Sequence, residues 1–228
     1  MSYQAANKIM KRFFDLFVSI ILAIISAPII LLVSVVLYVT QGLPLFYVSS
    51  RYVRSDKKLK IYKFRTMQKN ALDPSFNLEG RFMRNGYLDI PLDCEVYTPI
   101  GRFLERTQLV EILQIYNVIF NGMSLVGNRP LPARNIELLR EFDGWEERFE
   151  SPAGLSGISQ IVGKLNLRPE IRLELECLYS RLYKTGNVFK VDLLIIYYTV
   201  LYILTGKSID IERARELLNV SPIAGNGK

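Results

Sequence analysis

From Leu16 to Val39 the chain runs for 24 residues without a charged side chain. As a helix, a stretch of that length and polarity matches the hydrocarbon core of a bilayer. It constrains the fold more than any motif does, because the rest of the chain must then fold beside a membrane. A cleaved leader fits poorly, since no small-residue cleavage site with a polar flank follows. Ser26-Ala27-Pro28 falls at the middle of the stretch. Proline removes a backbone donor and bends a helix, and a nearby serine hydroxyl can satisfy the carbonyl so freed. Both flanks are basic, with Lys8, Lys11 and Arg12 before and Arg51, Arg54, Lys57, Lys58 and Lys60 after. Positive charge resists translocation, so both ends are expected on the cytoplasmic side. A helix over residues 11–40 that enters the bilayer, breaks at Ser26 and Pro28 and returns to the same face meets both conditions. An ordinary span with a mild kink is the alternative. A second apolar patch, Val191–Leu204, carries Tyr197, Tyr198 and Tyr202 between Lys190 and Lys207. It is too short to span, and it reads equally as a helix lying at the membrane interface or as a buried core helix.

The 228 residues suffice for one domain with its own core. No internal boundary, repeat or low-complexity tract appears, so residues 1–228 are read as one unit. Its parts are the membrane helix, a cytoplasmic or interfacial part over 41–210 and a tail over 211–228. The net charge of +7 suits an anionic membrane surface or a phosphate-bearing substrate. Nucleic acid is disfavoured as a partner, because no helix-turn-helix, RNP-like or zinc pattern is present. There is no histidine, which excludes a His-based triad, His metal ligands and a His general base. Any catalysis must use carboxylates, Lys, Arg, Tyr or an oxygen-bound metal. Cys94 and Cys177 stand far apart in no metal-ligand spacing and read as isolated thiols in a reducing compartment.

Pro44–Val48 has strand character, and Lys60–Met67 alternates basic and apolar residues as a half-exposed strand does. Residues 69–98 are rich in Asn, Asp, Gly and Pro and read as a loop with short turns. Thr98-Pro99 marks a helix start, with the helix running to about Thr107. A second helix is expected from Val110 to Phe120, stopped by Asn121-Gly122. Asn135–Arg148 and Arg168–Tyr183 are expected as further amphipathic helices, and Ser221–Lys228 as a loose end.

Five segments in order carry a resemblance. They are Lys11-Arg-Phe-Phe-Asp15, the Ser26–Pro28 break, Lys60–Met67 with its Lys-Phe-Arg-Thr-Met, the frame Ile100–Pro130, and Gly154-Leu-Ser-Gly-Ile-Ser-Gln160. Together they resemble the monotopic phosphoglycosyl transferases, the bacterial sugar transferases that start glycan assembly on a polyprenyl phosphate. The resemblance covers nearly the whole chain. It implies an α/β, mostly helical, monotopic membrane fold with a re-entrant kinked N-terminal helix and a cytoplasmic globular part, at the bacterial inner (cytoplasmic) membrane. It implies transfer of a sugar-1-phosphate from a nucleotide diphosphosugar to polyprenyl phosphate in exopolysaccharide assembly, with both substrates as partners. Lys63, Arg65 and Arg129 are the positions it assigns to phosphate binding, and Arg and Lys are the side chains that chemistry prefers. Taken singly, Lys63 and Arg65 read rather as solvated strand charges or lipid-headgroup contacts, and the shared frame is what tips them toward phosphate. In the family a carboxylate attacks phosphorus, and magnesium neutralises the diphosphate, held in part by the adjacent Glu.

Here the attacking Asp position is Val110, and the Glu survives as Glu111. Glu111 is thus the one carboxylate left for catalysis and for a metal. Further departures cluster nearby. Glu105 stands where the family has Arg, Gly122 where it has Asp, Leu113 and Asn128 where it has Pro. Three functions therefore remain open: a transferase using Glu111 as a substitute nucleophile with magnesium, a catalytically silent relative that binds nucleotide sugar or prenyl phosphate and regulates an active transferase, and a structural subunit that supplies membrane anchorage and a protein interface. In the latter two the chain is a catalytically inactive relative, acting as a regulatory or structural membrane subunit of a larger complex, with a protein partner or a second copy of itself.

Overall fold

The computed structural model describes residues 3–163 and 167–218; the expected loose end at Ser221–Lys228 lies outside them. The chain opens with α1 (Tyr3–Gln41), β1 (Phe46–Tyr52) and β2 (Lys58–Phe64). A 3₁₀ turn (Pro74–Phe76), α2 (Leu78–Phe82), β3 (Met83–Arg84) and β4 (Tyr87–Leu88) follow. Then come α3 (Pro99–Arg106), a 3₁₀ segment (Leu109–Gln114), α4 (Ile115–Phe120), β5 (Ser124–Val126) and α5 (Ala133–Leu139). The chain continues through a second 3₁₀ segment (Trp145–Glu150), β6 (Gly154–Ser156) and α6 (Ile158–Ile161). It ends in α7 (Pro169–Thr185), α8 (Phe189–Thr205) and α9 (Ile211–Leu218). The protein is mostly helical, with small two-stranded sheets: β1 with β2 and β3 with β4 antiparallel, β5 with β6 parallel.

α1 is 39 residues long and holds Pro28 inside it. By length and composition it could cross a membrane. The hydroxyl of Ser26 donates to the carbonyl of Ala23 at 3.2 Å, so the expected serine contact falls one carbonyl earlier than the one proline leaves free. Polar anchors tie the start of α1 to the globular body. Lys11 Nζ donates to Asp192 on α8 at 2.6 Å and to the carbonyl of Val126 at 3.1 Å. Arg12 donates to the carbonyls of Met123 and Val118. At the other end, Val33 and Leu37 pack with Phe64, Leu104 and Val110. Arg65 closes that end by donating to the carbonyls of Gln41 and Gly42 at 2.8 and 3.0 Å. About 45 Å of helix, at 1.5 Å per residue, lies between the two anchored ends. Between and beyond them Phe13, Phe17, Ile24, Ile25, Leu31 and Leu32 face outward.

β1 and β2 pair from Phe46↔Phe64 to Tyr52↔Lys58; both overlap the expected strands, but β1 runs on to Tyr52 and β2 ends at Phe64 rather than Met67. Thr98 caps α3 by accepting from the Gly101 amide, as Thr98-Pro99 indicates. Gly101 has a second reason to be glycine: a Cβ there would lie 1.8 Å from the carbonyl oxygen of Thr66. That close approach sets α3 directly against the end of β2.

The helix expected over Val110–Phe120 is instead a 3₁₀ segment followed by the short α4. Gln108 enters it in the left-handed region, at φ 58°, so the turn starts abruptly and tightens before α-helical bonding takes over. The helix expected over Asn135–Arg148 is also divided. α5 ends near Arg140, and Gly144 at φ 75° separates it from the 3₁₀ segment Trp145–Glu150. Arg148, expected on a solvated helix, is fully buried there. The main core gathers β5, β6 and α6–α9 around Tyr179, Leu175 and Ile195, with Phe14 and Val18 of α1 packed against it. α8 is not wholly a buried core helix. Val191 and Ile195 enter the core, while Leu193, Tyr197, Val200 and Leu204 are exposed.

Candidate functional site

The 3₁₀ segment Leu109–Gln114 packs against β2 and presents consecutive residues to different surroundings. Val110 is 2% exposed and packs among Val33, Leu37, Phe64 and Leu104. Glu111 points instead to two cations. Lys63 Nζ on β2 donates to Glu111 Oε1 at 2.6 Å. Arg129, in the loop after β5, meets the same carboxylate with two nitrogens, one of them on Oε2 at 3.2 Å. Lys63, Arg129 and Glu111 are each mostly buried, with some side-chain surface left open. Arg51 lies across the hairpin from β2 and adds a third positive charge near Arg129 and Glu111.

The charges influence one another strongly because little water screens them. Burial pulls the Lys63 ammonium below the ordinary lysine range, helped by Arg129 and Arg51 and opposed by Glu111. Arg51 is likewise lowered, by burial and then by Arg129. Burial also works against charge on Arg129, but Glu111 more than offsets this and raises its pKa. The carboxylate thus stabilises two cations whose burial would otherwise be costly.

The loop bearing Arg129 is fixed from below. Arg148 donates to the Arg129 carbonyl at 2.9 Å and pairs with Glu176 at 2.7 Å, both side chains being fully buried. Asn128 donates to the carbonyls of Arg148 and Glu176. Ser159 donates to the other oxygen of Glu176. A Cβ on Gly154 would meet the Gly127 amide at 2.1 Å, so the Gly154–Gln160 motif lets β6 and α6 close onto the Arg129 loop. Sequence marks Arg51 only as one of a basic flank and Arg148 only as a helix end, and gives Glu176 no role. Nothing in their spacing places them at the site, since each is brought in by tertiary packing.

Of the residues expected at the site, Lys63, Glu111 and Arg129 converge. Arg65 does not join them; it sits at the C-terminal end of α1, on Gln41 and Gly42. Ser26 and Pro28 lie in mid-α1, and Val110 is turned into the apolar cluster. Glu105 Oε1 accepts from the Thr66 hydroxyl at 3.0 Å. A cavity of about 350 Å³ opens beside the trio, lined by Glu111 and Arg129 at one side and mostly by apolar residues elsewhere, including Val18, Leu22, Ile112, Ile196 and Val200. It lies between α1, the 3₁₀ segment and α8, and its lining, charged at one side and apolar elsewhere, suits an amphiphile with an anionic head.

For a metal the fit is poor. Among the described residues no group of three His, Cys, Asp or Glu side chains gathers. Glu111 already bears a lysine ammonium and a guanidinium, so a magnesium ion there would face two positive groups at contact distance.

Residues 6–206 match the family model described as "Bacterial sugar transferase". The chain belongs to the bacterial sugar transferase family. Similar curated proteins agree. The UDP-glucose:undecaprenyl-phosphate glucose-1-phosphate transferase of Klebsiella pneumoniae is 31% identical over 85% of this chain and 40% of its own length. An uncharacterized sugar transferase, EpsL, of Bacillus subtilis is 31% identical over 88% of this chain and 90% of its own. The exopolysaccharide production protein PSS of Rhizobium leguminosarum bv. phaseoli is 29% identical over 86% of this chain and 96% of its own. The chain thus spans about two fifths of the Klebsiella transferase and nearly all of the two shorter bacterial sugar transferases.

Proposed function

We propose that this bacterial sugar transferase binds a phosphate-bearing substrate of the family reaction at Lys63 and Arg129, the two cations on Glu111, but does not turn it over by carboxylate attack. The carrying observation is the direction of two adjacent side chains. Val110 is packed into the α1 contact and has no lone pair, while Glu111 is clamped between two cations. The substrates are a polyprenyl phosphate, whose chain suits the apolar cavity, and a nucleotide sugar, as the names of the curated transferases indicate. The protein then serves exopolysaccharide assembly as a regulatory or structural membrane subunit. The test is purified protein with radiolabelled UDP-glucose and undecaprenyl phosphate, with and without magnesium. Robust metal-dependent release of UMP by the wild type refutes this reading and favours the second, in which Glu111, which lines the cavity, is a substitute nucleophile. In that case Glu111→Gln abolishes turnover.

The membrane topology is part of the same proposal. The body anchors α1 at Lys11–Arg12 and again at Gln41–Gly42. A helix held at both ends by one body on one side of the bilayer cannot leave its far end on the other side. We therefore read α1 as re-entrant at the cytoplasmic membrane, with the globular part cytoplasmic. Cysteines introduced near Lys8 and Lys57 should label from the same face of sealed vesicles; labelling from opposite faces refutes the topology.

A further inference from the structure

Glu111 presents both of its oxygens to the groups that would grip a phosphate. Arg129 meets it in the two-nitrogen manner that also recognises phosphate oxygens, and Lys63 adds a point charge. Three cations, Lys63, Arg129 and Arg51, stand around this one carboxylate. Arg51 donates to Ser49 at 2.7 Å, and among the described residues it forms no ion pair with a carboxylate. Glu105, the next acid along the chain, is turned to Thr66. The site is therefore net positive even with Glu111 charged, and a second anion can enter it without a metal to neutralise it.

We propose that Glu111 is a built-in competitor for phosphate: its carboxylate holds the place of the ligand's oxygens, and a phosphate ester binds by taking over Lys63 and Arg129 with no divalent cation. The inference rests on the phosphate-binding reading above and gives that site's metal requirement and its regulation. The sign of one substitution separates it from a metal-ligand role. A competitor's removal strengthens binding; a metal ligand's removal weakens it. The lysine and arginine already on Glu111 are what a competing carboxylate needs and what a magnesium ligand must shed.

The experiment measures equilibrium binding of two probes to the full chain in detergent micelles: UDP, and farnesyl phosphate as the lipid source. Each is titrated in excess EDTA and in excess magnesium chloride, for the wild type and for Glu111→Gln. We expect the wild type to bind at least one probe with affinities in EDTA and magnesium within about twofold. We expect Glu111→Gln to bind the same probe about tenfold or more tighter, as the loss of one repelling charge at contact distance implies. Binding of UDP alone identifies the nucleotide as the ligand, and binding of farnesyl phosphate alone identifies the lipid; either supports the inference. Binding that needs magnesium, or that weakens in Glu111→Gln, overturns the inference and leaves the phosphate-binding reading standing. Binding of neither probe by either protein, with native circular dichroism, overturns both. If Glu111→Gln fails to fold, Glu111→Ala takes its place, and the wild-type comparison of EDTA with magnesium needs no variant.

Discussion

Restoring the family's nucleophile is the obvious perturbation, and the structure argues that Val110→Asp alone will fail. Val110 is buried against Val33 and Leu37 of α1, Phe64 of β2 and Leu104 of α3. Losing the buried valine surface costs about 2 kcal/mol. Placing an unpartnered neutral carboxyl group there costs about 1–3 kcal/mol more. A charged one costs still more, so the group stays protonated and cannot act as a nucleophile. The total is about 4 kcal/mol, which for a chain of this size corresponds to a melting temperature lower by on the order of 10 °C. The nearby Glu105 carboxylate adds negative potential. Val110→Asn, whose side chain is isosteric with aspartate, should lose nearly as much stability, because most of the loss is polarity rather than charge. The assay is thermal unfolding in detergent alongside sugar-1-phosphate transfer from UDP-glucose. Val110→Asp with Glu105→Arg should gain more transfer than the two single changes combined. If Val110→Asp melts within about 2 °C of the wild type and turns over like an active relative, the packing argument is wrong and residue 110 has access to substrate.

Arg65→Ala removes the guanidinium that closes α1 on Gln41 and Gly42; it should cost about 2–3 kcal/mol, read as faster amide exchange over residues 38–43 with little change in phosphate binding. The Lys63 pKa is lowered, so its charge is present below that pKa and disappears as pH rises through it, earlier than for an ordinary lysine. Farnesyl phosphate binding should therefore decline on the alkaline side below pH 10.5, and Lys63→Arg should carry binding to higher pH. Asp192 is raised from its ordinary 3.8 to about 6 by burial, opposed by Lys11 and Tyr179 and reinforced by Asp15. A raised acid is held neutral by the fold, so its contribution is full below its ordinary pKa and lost as pH rises to about 6. Across that interval the wild type should lose stability that Asp192→Asn does not, as urea unfolding at several pH values would show.

The local features legible in the sequence proved to be those whose physics is local. The apolar run dictates a long helix whatever its neighbours, because a polar backbone in an apolar setting must bond to itself. Alternation over Lys60–Phe64 gives most of β2, and Thr98-Pro99 fixes the start of α3. Lys63, Glu111 and Arg129 were nameable from family motifs, although 48 residues separate Lys63 from Glu111 and 18 separate Glu111 from Arg129. Only the tertiary structure decides what they do together. It directs Val110 and Glu111, neighbours in sequence, into an apolar cluster and an ion trio, because successive side chains of a helical turn point to different sides and the packing of this turn against α1 and β2 decides what each side meets. It sends Arg65 to the end of α1 rather than to the trio. It also buries Arg148 with Glu176 beneath the Arg129 loop, an arrangement without sequence signature, since a buried ion pair is favourable only once both partners and their remaining hydrogen bonds have been brought together by the fold.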